Sequence, residues 1–230
     1  MSVIEDNITE IRENIAEAAL KSGRNPSEIR LMAVTKTVDD DRILEAIEAG
    51  VDIMGENYIQ EAKRKIEKMD VDVKWHMIGH LQSNKAKYAV RLFDMVHSVD
   101  RMGLAVELDK RSAAAGRVTD ILVEVNVSGE ESKNGISTEE APNLIRQISS
   151  LDNLSIRGLM TMPPWFDDPE DARPYFVALR ELRDKIIAED IKDVEMRELS
   201  MGMSGDYRVA VEEGATLVRI GTAIFGARIY

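Results

Sequence analysis

Two stretches of the sequence decide the fold: Leu31-Met32-Ala33-Val34-Thr35-Lys36 near the start and Leu217-Val218-Arg219-Ile220-Gly221-Thr222 near the end. Each begins with an apolar run that predicts a buried strand, and each leads into polar residues at its carboxyl end. The lysine after the first strand can meet the Gly-Thr turn after the last strand only if the sheet closes into a ring. The two stretches together predict an amine held beside backbone donors for an anion.

The chain between these stretches alternates between strand and helix. Strand-like runs begin near Leu31, Val51, Lys74, Met95, Asp120, Ser155, Glu195 and Leu217. Helical patterns occupy residues 40–49, 58–69, 84–93, 101–115, 138–150, 168–188, 206–213 and 223–230. Eight strands separated by helices should be parallel, which predicts an α/β fold of the single (β/α)8 TIM-barrel type. An open doubly wound sheet is the alternative, because two of the predicted strands are short.

An additional helix precedes the first strand. Ser2-Val3-Ile4-Glu5 has the form of a capping box, apolar residues then recur at helical spacing, and Gly23 and Pro26 end the pattern. We expect residues 1–23 to pack on the barrel as an N-terminal helix. Residues 1–230 are expected to form one domain, since barrels of about 200–250 residues usually do.

Composition excludes several classes of function. The formal net charge of -12 argues against a nucleic-acid partner, and the basic run Lys63-Arg64-Lys65 is interpreted as a solvated helix face. The absence of cysteine excludes disulfides and thiolate metal sites. No secretory signal and no apolar stretch of about 18 residues is seen, so we expect a cytoplasmic protein without a membrane partner.

Polar residues follow the predicted strands at the rim where barrel proteins place their sites. Lys36 ends the first strand, Ser200 ends the seventh, and Gly221 and Thr222 follow the eighth. The loops after the last two strands are the usual phosphate site of such barrels, and glycine there lets the backbone approach an anion. Pyridoxal phosphate requires this combination, an amine for its aldehyde and backbone donors for its phosphate.

Other polar positions leave alternatives open. Arg219 lies inside an apolar strand, either as a second cation near Lys36 or in a structural ion pair. Glu124 and Asn126 share one face of the fifth strand and could bind a ligand or form a buried network.

The three histidines raise the question of a metal site. His76 and His80 have a four-residue spacing, and His97 also lies near a strand end. A His-x-x-x-His metal pair usually lies on a helix with a carboxylate beside it, whereas this segment is predicted to be a strand. We therefore predict no metal.

The motifs resemble those of the pyridoxal-phosphate homeostasis proteins, relatives of the alanine racemase barrel domain. They occur in the family's order over almost the whole chain. They are Ala33-Val34-Thr35-Lys36, Gly55-Glu56-Asn57-Tyr58-Ile59-Gln60-Glu61, residues 75–85, Asn126 with Lys133 and Gly135, residues 158–162, residues 199–204 with Asp206, and Val218-Arg219-Ile220-Gly221-Thr222.

The resemblance implies a monomeric barrel with pyridoxal phosphate as a Schiff base on Lys36. It implies that Ser200, Gly221 and Thr222 hold the phosphate, with backbone help near Met201. It further implies that Arg219 faces the pyridine nitrogen, and that two residues surround the ring: Asn57 and His80. An arginine there disfavours protonation of the nitrogen, which makes the cofactor a poorer electron sink.

The expected function is therefore cofactor buffering or carriage in pyridoxal-phosphate homeostasis, not fast catalysis, so no catalytic residue is assigned. Amino acids and pyridoxal-phosphate-dependent apo-enzymes are possible partners. An amino-acid racemase is the first alternative, but it needs a second acid–base group opposite the lysine, and Tyr58 and Tyr207 lie at helix starts. A lysine Schiff-base aldolase is the second alternative.

Overall fold

Eight parallel strands close into a barrel in the computed structural model, which describes residues 2–130 and 132–227. The strands of the described residues are β1 (Arg30–Val34), β2 (Ile53–Glu56), β3 (Lys74–Met77), β4 (Met95–Val99), β5 (Thr119–Asn126), β6 (Ile136–Ser137), β7 (Leu154–Met160), β8 (Val194–Ser200) and β9 (Leu217–Ile220). The two-residue strand β6 pairs only with the end of β5 and is not part of the ring.

Two pairings close the ring. Strand β1 pairs in parallel with β2 on one side and with β9 on the other, so that Ala33 lies opposite both Met54 and Ile220. Strand β4 pairs with β5, which joins the two halves of the sheet. The predicted (β/α)8 barrel is thus confirmed, and the alternative of an open sheet is wrong.

Helices separate the strands and cover the outside of the barrel. They are α1 (Val3–Lys21), α2 (Asp40–Glu48), α3 (Ile59–Lys68), α4 (Ala86–Leu92), α5 (Met102–Ala114), α6 (Ala141–Ile148), α7 (Arg173–Ala188), α8 (Tyr207–Glu212) and α9 (Thr222–Phe225). Three short 3-10 turns occupy Pro26–Glu28, Ser83–Lys85 and Pro169–Ala172. The helix predicted over 223–230 is represented by α9, and residues 228–230 lie outside the described residues.

Helix α1 packs on the barrel as the apolar spacing predicted. Ser2 Oγ accepts a hydrogen bond from the Glu5 backbone N–H at 3.2 Å, which satisfies a donor of the first turn. Ile4, Ile8 and Ile11 are buried where α1 contacts α2, α8 and α9. Burying one isoleucine side chain contributes about 1.5–3 kcal/mol, so this face holds the helix in place.

The basic run on α3 divides between solvent and core. Lys63 and Arg64 are exposed as predicted, whereas the Lys65 side chain is fully buried. The interpretation of Lys65 as a solvated charge was wrong, because helical spacing turns it towards two carboxylates, Glu56 and Glu61. Among the described residues, no helix combines the length and the apolar character needed to span a bilayer.

Candidate functional site

A cavity of about 260 Å³ opens at the carboxyl ends of the barrel strands. Its walls bring together five residues that the sequence predicted to meet: Lys36, Asn57, Arg219, Gly221 and Thr222. Parallel strands all end at the same rim, so side chains from the beginning and the end of the chain become neighbours there.

Lys36 lies two residues after the end of β1 and is half-buried on the cavity wall. Val34 and Ile78 provide apolar surface beside it. The Lys36 side chain is therefore held beside apolar surface at the cavity and not on the outer face of the barrel.

Backbone donors also converge at the cavity, after the strand β9 that neighbours β1. The N–H groups of Gly221 and Ala223 both donate to Ser204 Oγ, at 3.3 and 3.2 Å. Ser204 and Gly205 line the cavity together with Thr222. Several donors directed to one point form a place where a phosphate could accept hydrogen bonds. Ser204 was part of a quoted motif but was not predicted as a site residue.

Arg219 lies at the inner end of the cavity and is only 3% exposed. Its Nη1 donates to Ser200 Oγ at 2.7 Å, and its Nη2 donates to the Thr161 carbonyl at 2.8 Å. Burial lowers the pKa of Arg219 to about 10, although the carboxylates of Asp206 and Glu124 partly offset this effect. The guanidinium therefore remains charged at neutral pH, and among the described residues it is held by neutral oxygens instead of an ion pair with a carboxylate.

A chain of hydrogen bonds extends from Arg219 into the barrel. Ser200 Oγ lies 3.0 Å from His97 Nδ1, and His97 Nε2 lies 3.0 Å from His76 Nδ1. Because Arg219 can only donate, each of these contacts has one donor and one acceptor if Ser200 donates to His97 and His97 donates to His76. This arrangement requires neutral histidines, and burial lowers the pKa of His76 to about 4 and that of His97 well below its usual value.

The structure places three predicted site residues away from the cavity wall. Ser200 and Met201 are fully buried, and the Ser200 hydroxyl is engaged by Arg219 and His97. His80 is exposed in the irregular segment that follows β3. Direct contact of these residues with a ligand stays a prediction, whereas Ser204 occupies the place on the wall that Ser200 was expected to fill.

Asn57 presents an unsatisfied acceptor at the cavity. Its Oδ1 atom is buried and has no hydrogen-bond partner among the described residues. Gly79 packs against the Asn57 main chain, and a Cβ atom at Gly79 would lie 2.4 Å from the Asn57 carbonyl oxygen. Glycine at position 79 therefore allows the close approach that places Asn57. An unpaired buried acceptor is costly, so it favours a ligand that carries a donor.

The two polar residues of β5 have separate roles. Glu124 is 3% exposed, and its Oε2 atom lacks a hydrogen-bond partner among the described residues. Asn126 instead organises the following turn, donating to the Glu130 carbonyl and accepting from Ser128 and Gly129. Neither residue lines the cavity.

The histidines do not assemble into a triad. His76 and His97 contact each other, with ring centroids 5.0 Å apart, but exposed His80 does not join them. Within residues 2–130 and 132–227, no group of three or more His, Cys, Asp or Glu side chains is arranged to hold a metal ion.

An apolar loop after β7 borders the cavity mouth. Met162, Trp165 and Phe166 line the cavity, and Trp165 is 76% exposed. Pro163 and Pro164 interrupt regular structure there.

Comparison with known proteins gives consistent results over the full length. The family model for the alanine racemase N-terminal domain matches residues 7–229. The chain is 44% identical over 226 residues to a pyridoxal phosphate homeostasis protein of Aquifex aeolicus, covering 98% of each chain. It is 42% identical over 235 residues to a pyridoxal phosphate homeostasis protein of Vibrio alginolyticus, covering 100% of both.

A solved structure is also similar. PipY of Synechococcus elongatus, determined with PLP bound, superposes with a TM-score of 0.86 and 33% sequence identity. The match covers 97% of this chain and 100% of PipY.

Proposed function

The chain belongs to the pyridoxal phosphate homeostasis protein family, and from this premise we propose that it binds pyridoxal 5'-phosphate in the cavity beside Lys36. In this proposal it serves as an intracellular buffer or carrier of the cofactor and not as a fast enzyme. The observation that carries the proposal is the meeting of Lys36, the backbone donors around Ser204 and the buried Arg219 in one cavity.

The cavity offers residues that could bind the phosphate, the ring hydroxyl and the ring faces of the cofactor. The Gly221 and Ala223 N–H groups, which otherwise donate to Ser204 Oγ, and the hydroxyls of Ser204 and Thr222 would donate hydrogen bonds to a phosphate dianion. Asn57 Oδ1, which lacks a partner among the described residues, would accept a hydrogen bond from the ring hydroxyl. The apolar surface of the cavity would contact the ring faces.

When bound, pyridoxal phosphate supplies an aldehyde that condenses reversibly with a neutral primary amine, with loss of water. Lys36 provides that amine within the chain. Arg219 would face the pyridine nitrogen, where its positive charge opposes protonation of the ring. An unprotonated pyridine withdraws electrons weakly, which supports a carrier role over carbanion chemistry.

The titratable groups of the cavity also support this role over racemization. Among the described residues, the side chains that line the cavity include Lys36, Asp206 and Arg219 but no tyrosine or histidine. Asp206 accepts a hydrogen bond from the Met203 N–H at 2.6 Å, and burial raises its pKa. Tyr58 is exposed and Tyr207 is buried, both outside the cavity wall, so neither supplies a second base opposite Lys36.

Several further properties belong to the same proposal. We propose that residues 1–230 act as a single domain and a monomer in the cytoplasm. Amino acids would release the cofactor by exchanging with the Lys36 amine, and apo-enzymes would receive it. Trp165 and Met162 at the cavity mouth are exposed where such molecules would approach.

The absorbance spectrum tests the proposal. The purified protein is incubated with pyridoxal phosphate and desalted, and a retained visible band is expected. Lys36→Ala should lose that band, whereas Lys192→Ala should retain it, because the Lys192 side chain is 91% exposed and lies on the surface. A wild-type spectrum without the band, or an unchanged band in Lys36→Ala, would overturn the proposal.

A further inference from the structure

Lys65 lies behind the cavity wall and is among the largest fully buried side chains of the described residues. Its ammonium donates to the Thr35 carbonyl at 2.6 Å, to Glu56 Oε1 at 2.7 Å and to Glu61 Oε1 at 2.7 Å. All three of its donors are therefore used, which is the condition for keeping a buried charge.

The same cluster holds the main chain on both sides of Lys36. The Thr35 carbonyl, which precedes Lys36, accepts from Lys65. The Thr37 N–H, which follows Lys36, donates to Glu61 Oε1 at 2.6 Å, the same oxygen that Lys65 contacts. One carboxylate oxygen and one ammonium thus link the two peptide groups that flank the cavity lysine.

The backbone at this point has an uncommon conformation. Thr37 has a φ of 62°, in the left-handed region that β-branched residues rarely adopt. Such a conformation persists only when surrounding contacts impose it, and the bond from Thr37 to Glu61 is such a contact.

The cluster also reaches a second wall of the cavity. Glu56 Oε1 accepts from Lys65 and from the Thr35 hydroxyl at 2.6 Å, and Glu56 directly precedes Asn57 on the cavity wall. Lys65 therefore connects the backbone segments that carry Lys36 and Asn57.

We infer that Lys65, acting through Glu61 and Glu56, is a positioning residue that directs the Lys36 amine towards a phosphate-anchored aldehyde in the cavity. The inference rests on the proposed function. A ligand already fixed by its phosphate cannot adjust to a displaced amine, so the rate of covalent capture depends on where the main chain holds Lys36. Binding of a phosphate ester without an aldehyde does not depend on this placement.

Two ligands distinguish a misplaced Lys36 amine from a general loss of structure in the cavity. Pyridoxal 5'-phosphate reports capture by Lys36 through the growth of the visible band, and pyridoxine 5'-phosphate, which has no aldehyde, reports cavity binding alone. Lys65→Met should slow capture by about 10- to 100-fold while it changes pyridoxine 5'-phosphate affinity by less than about threefold. Amide hydrogen exchange at Thr37 in the ligand-free protein should become faster.

Arg157→Met is the matched control. Arg157 also contacts two carboxylates, Asp120 and Glu195, but it lies near the opposite end of the barrel strands. Its replacement should leave the capture rate and Thr37 exchange unchanged.

A second pair of variants covers the case in which Lys65→Met does not fold. Glu61 is partly exposed, so its replacement is better tolerated. Glu61→Ala removes the acceptor of the Thr37 N–H and should slow capture, whereas Glu61→Gln keeps an acceptor oxygen and should recover most of the rate. The inference is overturned if Lys65→Met and Glu61→Ala capture pyridoxal 5'-phosphate as fast as the wild-type protein does. It is also overturned if these variants lose the capture rate for pyridoxal 5'-phosphate and the affinity for pyridoxine 5'-phosphate by the same factor. A wild-type protein that never shows the band would instead refute the proposed function and the inference with it.

Discussion

Arg219 Nη1 donates a 2.7 Å hydrogen bond to Ser200 Oγ, and both side chains are buried at the inner end of the cavity. This bond places Ser200 behind the arginine and not among the groups that line the cavity. The hydroxyl also contacts His97, so it is part of the hydrogen-bond chain that ends at His76.

Ser200→Ala tests this position. The change leaves the Nη1 donor of Arg219 and the Nδ1 acceptor of His97 without a partner, so we expect a loss of about 1–3 kcal/mol in the free energy of unfolding. Its effect on cofactor binding should arise through Arg219 at the ring and should be the same for pyridoxal phosphate and for pyridoxal, which lacks the phosphate. Fluorescence or absorbance titration with both ligands measures this.

Ser204→Ala is the matched comparison to Ser200→Ala. Ser204 lies with the backbone donors, so its replacement should weaken the binding of pyridoxal phosphate but not of pyridoxal. If Ser200→Ala weakened only the phosphate ester, Ser200 would hold the phosphate as the sequence predicted, and the assignment to Ser204 would be wrong.

Gly79→Ala should displace Asn57. The added Cβ would lie 2.4 Å from the Asn57 carbonyl oxygen and 2.7 Å from its Cα, and backbone atoms cannot move away cheaply. We expect a destabilisation of about 1–3 kcal/mol and weaker retention of pyridoxal phosphate, measured by denaturant unfolding and by dialysis.

Gly103→Ala provides the control for Gly79→Ala. Gly103 lies in α5, and nothing is within 4 Å of a Cβ at that position. Alanine there should stabilise the helix by up to about 1 kcal/mol and leave cofactor retention unchanged. Equal retention in both alanine variants would show that the close packing of Gly79 on Asn57 has no role in binding.

Glu124 should make stability fall as the pH rises. Burial, followed by the negative charge of Asp100, raises the pKa of Glu124 to about 7 from its ordinary value of 4.5, and Arg219 opposes the shift. At a pH between these two pKa values, Glu124 keeps its proton in the folded protein but has lost it in the unfolded chain. The carboxyl therefore costs about 3 kcal/mol of stability when the pH rises from about 4.5 to above 7.

Glu124→Gln removes this titration. The stability of the variant relative to wild type should increase by about 3 kcal/mol between about pH 4.5 and pH 8 in urea unfolding experiments. His76 and His97 titrate in both proteins, so their contributions cancel in the difference. A difference that does not change with pH would contradict the burial of an ionizable Glu124.

Lys65→Met should also reduce stability strongly. Removing one partner of a buried charge cluster leaves Glu56 and Glu61 uncompensated, which costs about 3–5 kcal/mol. Arg157→Met should cost much less, because Arg157, Asp120 and Glu195 remain about one third exposed and their charges are solvated. Thermal and urea unfolding of the two variants measures the contrast, and equal losses would contradict the buried role of Lys65.

The sequence predicted the parts of the fold that depend on local patterns. Apolar runs located the strands of the ring, and Gly50 and Gly116, which adopt positive φ after α2 and α5, are typical of helix ends. Strand β6 was missed, since two residues such as Ile136 and Ser137 carry no periodicity.

The part of the site that lies at strand ends was predictable from the sequence. Five residues at or near strand ends were predicted to meet and do line the cavity: Lys36, Asn57, Arg219, Gly221 and Thr222. Side-chain direction within a turn or on a helix face is set by tertiary packing, and spacing alone did not distinguish Ser200 from Ser204. Lys65 resembled a surface lysine because Glu61 is only its i,i+4 neighbour on α3, whereas Glu56 becomes its second partner only when α3 packs beside β2.

Borohydride reduction of the protein incubated with pyridoxal phosphate tests the central claim most directly, because it fixes the amine–aldehyde linkage for peptide mass spectrometry. The account predicts that the cofactor mass is found on the peptide that contains Lys36 and that inorganic phosphate in excess reduces the labelling. Labelling spread over surface lysines such as Lys192, with none above background at Lys36, would contradict the account.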